Sequence, residues 1–167
     1  MPTLNPQTKA EVLRILKERI QGDLSSISAS QRSAQEGATH AENRAEGKKD
    51  MRATEVAYLA RGLAERVIQL KQSAAVMEVF EPRDFAPEDP IGLGALVRAE
   101  DDDTEMEHLY FLVPMGGGKP VEVGGQKVSP LTPQSPLGKA LIGKVVDDDA
   151  TFRTPQGVRN LVILEVV

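Results

Sequence analysis

The sequence predicts an α+β chain: an N-terminal antiparallel coiled-coil helical hairpin, then an antiparallel sheet domain carrying one short helix. Three observations predict it. Apolar residues recur on a seven-residue spacing in two separate stretches, residues 13–41 and 56–77, the period that holds one seam against a partner helix. Nine of the 11 prolines and most of the 14 glycines fall in residues 81–167. Apolar residues in that second half come in short runs punctuated by turn signals, as strands do.

The first stripe is Leu13, Ile20, Ile27, Ala34 and Ala41, with Leu16 and Leu24 filling the seam. The second is Val56, Ala60, Leu63, Val67, Leu70, Ala74 and Met77, spaced alternately four and three. Between them, from Glu36-Gly37 to Lys48-Lys49, the apolar residues vanish, and Gly37 and Gly47 weaken the helix by ~1 kcal/mol each. Residues 1–80 therefore read as a hairpin with its tip near 38–50, each arm of about 30 residues reaching ~45 Å. A helical bundle, or a parallel dimer formed through one helix, would satisfy the same stripes. The seam thins through Ser28, Ser30, Ser33 and Ala34, so the free end should be zipped less tightly than the base.

Residues 81–90 (Glu-Pro-Arg-Asp-Phe-Ala-Pro-Glu-Asp-Pro) form a linker, and 91–167 the second domain. Leu93–Ala99 and His108–Val113 read as strands about an acidic turn. Val121–Val128 alternates around Gly124-Gly125, a two-residue hairpin signal. Ser135-Pro136 opens a short helix to Ile142, with serine as cap and proline at the first helical position. Two last strands, Ala150–Thr154 and Val158–Val166, flank Pro155-Gln-Gly157.

Composition narrows the function. Net charge is −5, against the basic excess of a duplex-DNA binder, so no independent nucleic-acid binding is expected. Residues 1–80 carry 12 basic and 10 acidic residues and 81–167 carry 8 and 15. With no cysteine and only His40 and His108, thiolate chemistry and multi-histidine metal sites are excluded. No apolar run reaches the ~20 residues of a membrane span, and the polar N-terminus lacks a signal-peptide core. A cytoplasmic location is expected.

The run Ser135-Pro-Leu-Gly-Lys-Ala-Leu-Ile-Gly-Lys144, an acidic turn, a Thr-Pro-x-Gly turn and an apolar last strand together resemble the C-terminal domain of bacterial Gre-type transcript cleavage factors. That family places an antiparallel coiled coil before an FKBP-like domain, the order read above. The resemblance implies binding to bacterial RNA polymerase at its secondary channel, the globular domain docking at the rim and the coiled coil entering. It also implies that acidic tip residues help hold magnesium in the polymerase active site, with the polymerase as the enzyme. Carboxylates on a hard cation suit phosphodiester hydrolysis.

The tip departs from that pattern. The family reads approximately G-D-L-x-E-N-A-E-Y; this chain reads Gly37-Ala-Thr39-His40-Ala-Glu42-Asn43-Arg44-Ala-Glu46. Glu42-Asn43 match. Thr39 stands where the acidic residue is expected, and Glu46 where the aromatic is. The stretch Ala41–Arg52 resembles a divergent Gre-like subgroup. Glu42 is the candidate ligand to a magnesium ion shared with the polymerase; the chain is expected to hold no cofactor of its own. Glu42, Asn43, Arg44, Glu46 and Lys48 are the tip candidates, either a functional tip or a helix surface laced with opposite charges.

Outward Lys139 and Lys144 are the docking candidates, whereas Leu137, Ala140, Leu141 and Ile142 suit the buried face of the short helix. Gly116-Gly-Gly118-Lys119 lacks phosphate-loop spacing, and the Asp101–Asp103 and Asp147–Asp149 runs lack EF-hand spacing. The expected function is thus modulation of elongation, pausing or backtracked-transcript cleavage by a monomer that is not itself an enzyme. The alternatives are a coiled-coil adaptor and a peptidyl-prolyl isomerase, for which residues 81–167 offer only Phe85, Tyr110, Phe111 and Phe152 as aromatics.

Overall fold

Asn5-Pro6 starts the first helix. The Asn5 side chain accepts from Thr8 N at 2.8 Å and from Thr8 Oγ1 at 3.0 Å, while Pro6 takes the first helical position, where a missing N–H costs nothing. The computed structural model describes residues 4–44 and 51–167, the backbone alone for 41–44. Helix α1 runs from Pro6 to Arg44 and α2 from Met51 to Val79, about 58 and 43 Å long at 1.5 Å per residue. Residues 38–44, expected at the tip, thus continue α1. The described seam positions of α2 (Val56, Ala60, Leu63, Val67, Leu70, Ala74, Met77) are all buried or half-buried. A Cβ built on Gly37 would lie 4.0 Å from Val56 Cγ1, so the two helices pair within one chain.

The chain divides into two compact units, Lys17–Ala75 and the remainder (Met1–Leu16 with Val76–Val167). In the second unit the remaining elements are β1 Leu96–Asp101, β2 Met106–Leu112, β3 Val121–Val123, β4 Gln126–Leu131, α3 Pro136–Leu141, β5 Asp149–Thr154 and β6 Gly157–Val166. They form one six-stranded sheet in the order β3-β4-β2-β1-β6-β5. Four of its pairings are antiparallel, as expected. The fifth, β2 with β4, is parallel, which corrects the all-antiparallel reading.

Local chemistry explains that strand. Gly124 and Gly125 have φ of +57° and +76°, the sign that a tight two-residue hairpin needs at both centres, so β3 and β4 pair antiparallel. Residues 113–120 cross between β2 and this hairpin, which brings β4 alongside β2 in the same direction. Pro130 is tolerated inside β4 because its own carbonyl accepts from Gly118 N at 3.1 Å. Its absent N–H faces that same loop side, not the ladder with β2.

On one face, Val97 and Ala99 of β1, Leu112 of β2 and Leu161 and Ile163 of β6 pack with Leu137 and Leu141 of α3 and with Phe85 and Ile91. Strand alternation sends Leu96, Leu109, Phe111 and Val128 to the other face, and these are buried too. Sheet centres covered on both sides read as apolar runs rather than alternations. Each fully buried Leu, Ile or Phe contributes about 1.5–3 kcal/mol.

Candidate functional site at the hairpin tip and on the C-terminal domain

Thr39 is the last described side chain but one on α1. It is exposed, and its hydroxyl donates to the Gln35 carbonyl at 3.0 Å, a bond back along the helix that spends its one proton locally. Gln35 in turn accepts from Gln31 Nε2 at 3.1 Å. Arg32, Gln35, Glu36, Thr39 and His40 line a shallow, open hollow on this face. It holds one cation and one carboxylate.

Glu42, Asn43 and Arg44 lie on the last turn of α1, with side chains outside the described residues; Glu46 and Lys48 lie outside them entirely. Among the described residues no three acidic or histidine side chains converge as a metal site. At the position where the resemblance expects an acidic residue, Thr39 presents a neutral hydroxyl already bonded to its own helix. Just beyond the tip, Met51 and Tyr58 are 78% and 79% exposed, an apolar pair seven residues apart on one face of α2.

On the other unit, Ser135 caps α3 as read. Its hydroxyl donates to Thr132 O at 2.8 Å and accepts from Gly138 N at 3.0 Å. Leu137 and Leu141 are buried and Ala140 packs on the core. Ile142 does not join them: it is the C-cap, outside the helix, and 41% exposed. Lys139 points to solvent and Lys144 is half-buried; both belong to the unit that holds the sheet.

Two groups were not anticipated from the sequence. The first is Asp101, buried at the end of β1 within what read as a solvated acidic turn. Its Oδ1 accepts from Asp103 N at 3.1 Å, Thr104 N at 3.2 Å and Thr104 Oγ1 at 3.2 Å; Arg159 of β6 donates to its Oδ2. Burial raises the Asp101 pKa, but the Thr104 hydroxyl, Arg159 and the two backbone N–H groups outweigh it, and the carboxyl sits below its ordinary 3.8. Next to it Asn160 Nδ2 bridges Asp102 Oδ2 at 2.6 Å and Asp149 Oδ1 at 3.3 Å, joining the two acidic runs. Nothing local in the sequence couples residues 58 apart.

A pH dependence follows. A carboxyl whose folded pKa lies below its unfolded value stabilises the fold above the unfolded pKa, and loses that contribution as pH falls through the folded one. Asp101→Asn should therefore be less stable than the native chain at pH 6, with the gap closing below about pH 3.8. Urea midpoints across pH 2–6 check this; parallel curves would refute it.

The second unanticipated group is Lys9, at a position of α1 where Val12, Leu13 and Leu16 mark the buried face. The periodic signal was present there, one turn before the stripe. A lysine in that place simply does not score as apolar.

The aromatic side chains of residues 81–167 are committed to packing. Phe85 and Phe111 are buried and Tyr110 and Phe152 pack against the core. Burial pushes the Tyr110 phenol above its usual range. On the opposite face Arg98 pairs with Glu165 at 3.2 Å and Glu107 at 3.8 Å. No helix among the described residues is long and apolar enough to cross a membrane.

Residues 86–167 match the family described as transcription elongation factor, GreA/GreB, C-terminal. Over 101 residues the chain is 37% identical to transcription elongation factor GreA of Syntrophobacter fumaroxidans, covering 60% of each, and 35% identical to that of Rickettsia canadensis, covering 60% of this chain and 58% of the relative. These alignments span about three-fifths of the length of the curated relatives. Among solved structures, GreA factor homolog 1 of Thermus thermophilus is 19% identical with a TM-score of 0.39, covering 90% of this chain and 94% of that one.

Proposed function

We propose that this chain, whose residues 86–167 match the GreA/GreB transcription elongation factor C-terminal family, binds bacterial RNA polymerase at the secondary channel and modulates elongation there. The observation that carries the reading is the joining of a family C-terminal domain to a paired-helix arm, α1 with α2. Helix α1 alone has 39 residues, about 58 Å of continuous helix at 1.5 Å per residue. Lys139 and Lys144 are the docking cations on the C-terminal domain, with net −7 around them. The chain acts in the cytoplasm, one copy per polymerase, and is not itself a catalyst.

Any magnesium at the tip is the polymerase's own. Glu42 is the one carboxylate that this tip brings to it at a matching position, and Thr39 supplies none. The chain is therefore read as a channel-binding regulator that leaves backtracked RNA uncut. The test incubates stalled, backtracked elongation complexes with the protein and magnesium, and follows co-migration and RNA length together. Co-migration with unchanged RNA is expected. Co-migration with shortened RNA would make Glu42 sufficient for a cleavage factor. No co-migration would reject the polymerase reading and leave the adaptor in its place.

A further inference from the structure

A lysine that is only 2% exposed is unusual, because burying an ammonium group costs more than nearly any contact returns unless its donors are engaged. Lys9 sits one turn before Val12 and Leu13 on the buried face of α1. An apolar residue there would continue that face. Lys9 instead reaches the linker: Nζ donates to the Arg83 carbonyl at 2.7 Å, stands 3.7 Å from Asp84 Oδ1 and lies 5.3 Å from the Phe85 ring centroid. The Arg83 guanidinium lies on the same ring at 3.9 Å, and Phe85 belongs to the core beneath α3. Three consecutive linker residues thus converge on one ammonium group, although 74 residues separate it from Arg83. Burial lowers the Lys9 pKa and Asp84 offsets part of that, so the chain bears a cost to keep a cation here. Methionine would fill the same volume with none.

We infer that Lys9 is a positioning residue that clamps the linker Arg83–Phe85 onto the first turns of α1, so that the helix enters the C-terminal domain as a held element and not a swivel. A clamp is what a factor needs if its globular domain anchors on the polymerase while the other end of the same helix acts at a distance; in that respect the inference rests on the proposed function. A slack joint would leave anchoring intact and blur the tip's effect.

The experiment compares the full-length native chain with Lys9→Met, which keeps the volume and loses the donor, and Lys9→Gln, which keeps a shorter neutral donor. Hydrogen exchange is read in peptides covering 4–16 and 80–91, with 96–101 and 161–166 as core references. Lys9→Met should speed exchange in the first two roughly tenfold, the effect of losing one hydrogen bond from a charged donor, and leave the references alone; Lys9→Gln should fall between. Unchanged exchange in 80–91 overturns the clamp, and so does equal acceleration in all four peptides, which a merely destabilising change gives. If Lys9→Met does not fold, the same comparison is decided on Lys9→Gln.

On elongation complexes the variants should co-migrate like the native chain while losing half or more of its effect on elongation. An undiminished effect overturns the positioning role. Failure of the native chain itself to bind overturns the polymerase reading instead, and the exchange data then judge the clamp alone.

Discussion

Alanine in place of Gly138 is expected to lower the stability of the chain by about 3 kcal/mol, near the upper end of what an overpacked site costs. A Cβ built there falls 2.1 Å from the Thr132 carbonyl oxygen and 2.8 Å from Ser135 Oγ. Neither can give way cheaply. The Thr132 carbonyl is backbone and already accepts from the Ser135 hydroxyl at 2.8 Å, which itself caps the helix through Gly138 N. The helix cannot shift outward either, because Leu137 and Leu141 on either side are buried in the core. The methyl must therefore break the cap or lift α3. This is why the Ser-Pro-Leu-Gly run has its glycine: the position requires the absence of a side chain, not a special φ. The urea midpoint, followed by circular dichroism, reads the loss. Lys139→Ala next to it, exposed and outside these contacts, should stay within about 0.5 kcal/mol. A Gly138→Ala midpoint equal to that control would refute the account.

The second large effect is expected at the tip and rests on the proposed function. Aspartate in place of Thr39 puts a carboxylate three residues before Glu42 on the continuous helix α1, where i and i+3 side chains are neighbours. It also removes the hydroxyl bond to Gln35 O; position 39 is already exposed. Shortening of backtracked RNA in the presence of magnesium should then rise roughly tenfold or more over the native chain, ~1.4 kcal/mol of barrier. Adding Glu42→Ala should remove the gain, since the two carboxylates act as a pair and not additively. Polymerase co-migration must persist in both variants for the comparison to hold. Unchanged RNA length with Thr39→Asp bound would show that the missing charge is not what limits this tip.

Legibility in the sequence followed the range of the physical signal. The heptad stripe of α2 is buried or half-buried along its described length because a helix repeats its own face every 3.5 to 3.6 residues, and that periodicity needs no partner to be seen. The Ser135 cap, the proline after it and the Gly124-Gly125 turn were equally readable, since each is decided by two or three neighbouring residues. Asn5-Pro6 carried the same kind of message, and the stripes alone passed over it. The tip was legible only as a departure: Thr39 for an acid, Glu46 for an aromatic.

What the sequence by itself determined is the order of elements, their punctuation and the seam that pairs α1 with α2, because backbone conformation and amphipathic faces are local properties. The tertiary structure alone decided three things. It made β4 run parallel to β2, because crossover direction depends on which sheet edge is free. It buried Asp101 against Arg159, and it drew Lys9 to Arg83. In the last two, a polar group leaves water because a partner 58 or 74 residues away satisfies it, and no pattern of near neighbours records which distant carbonyl or guanidinium the fold will bring.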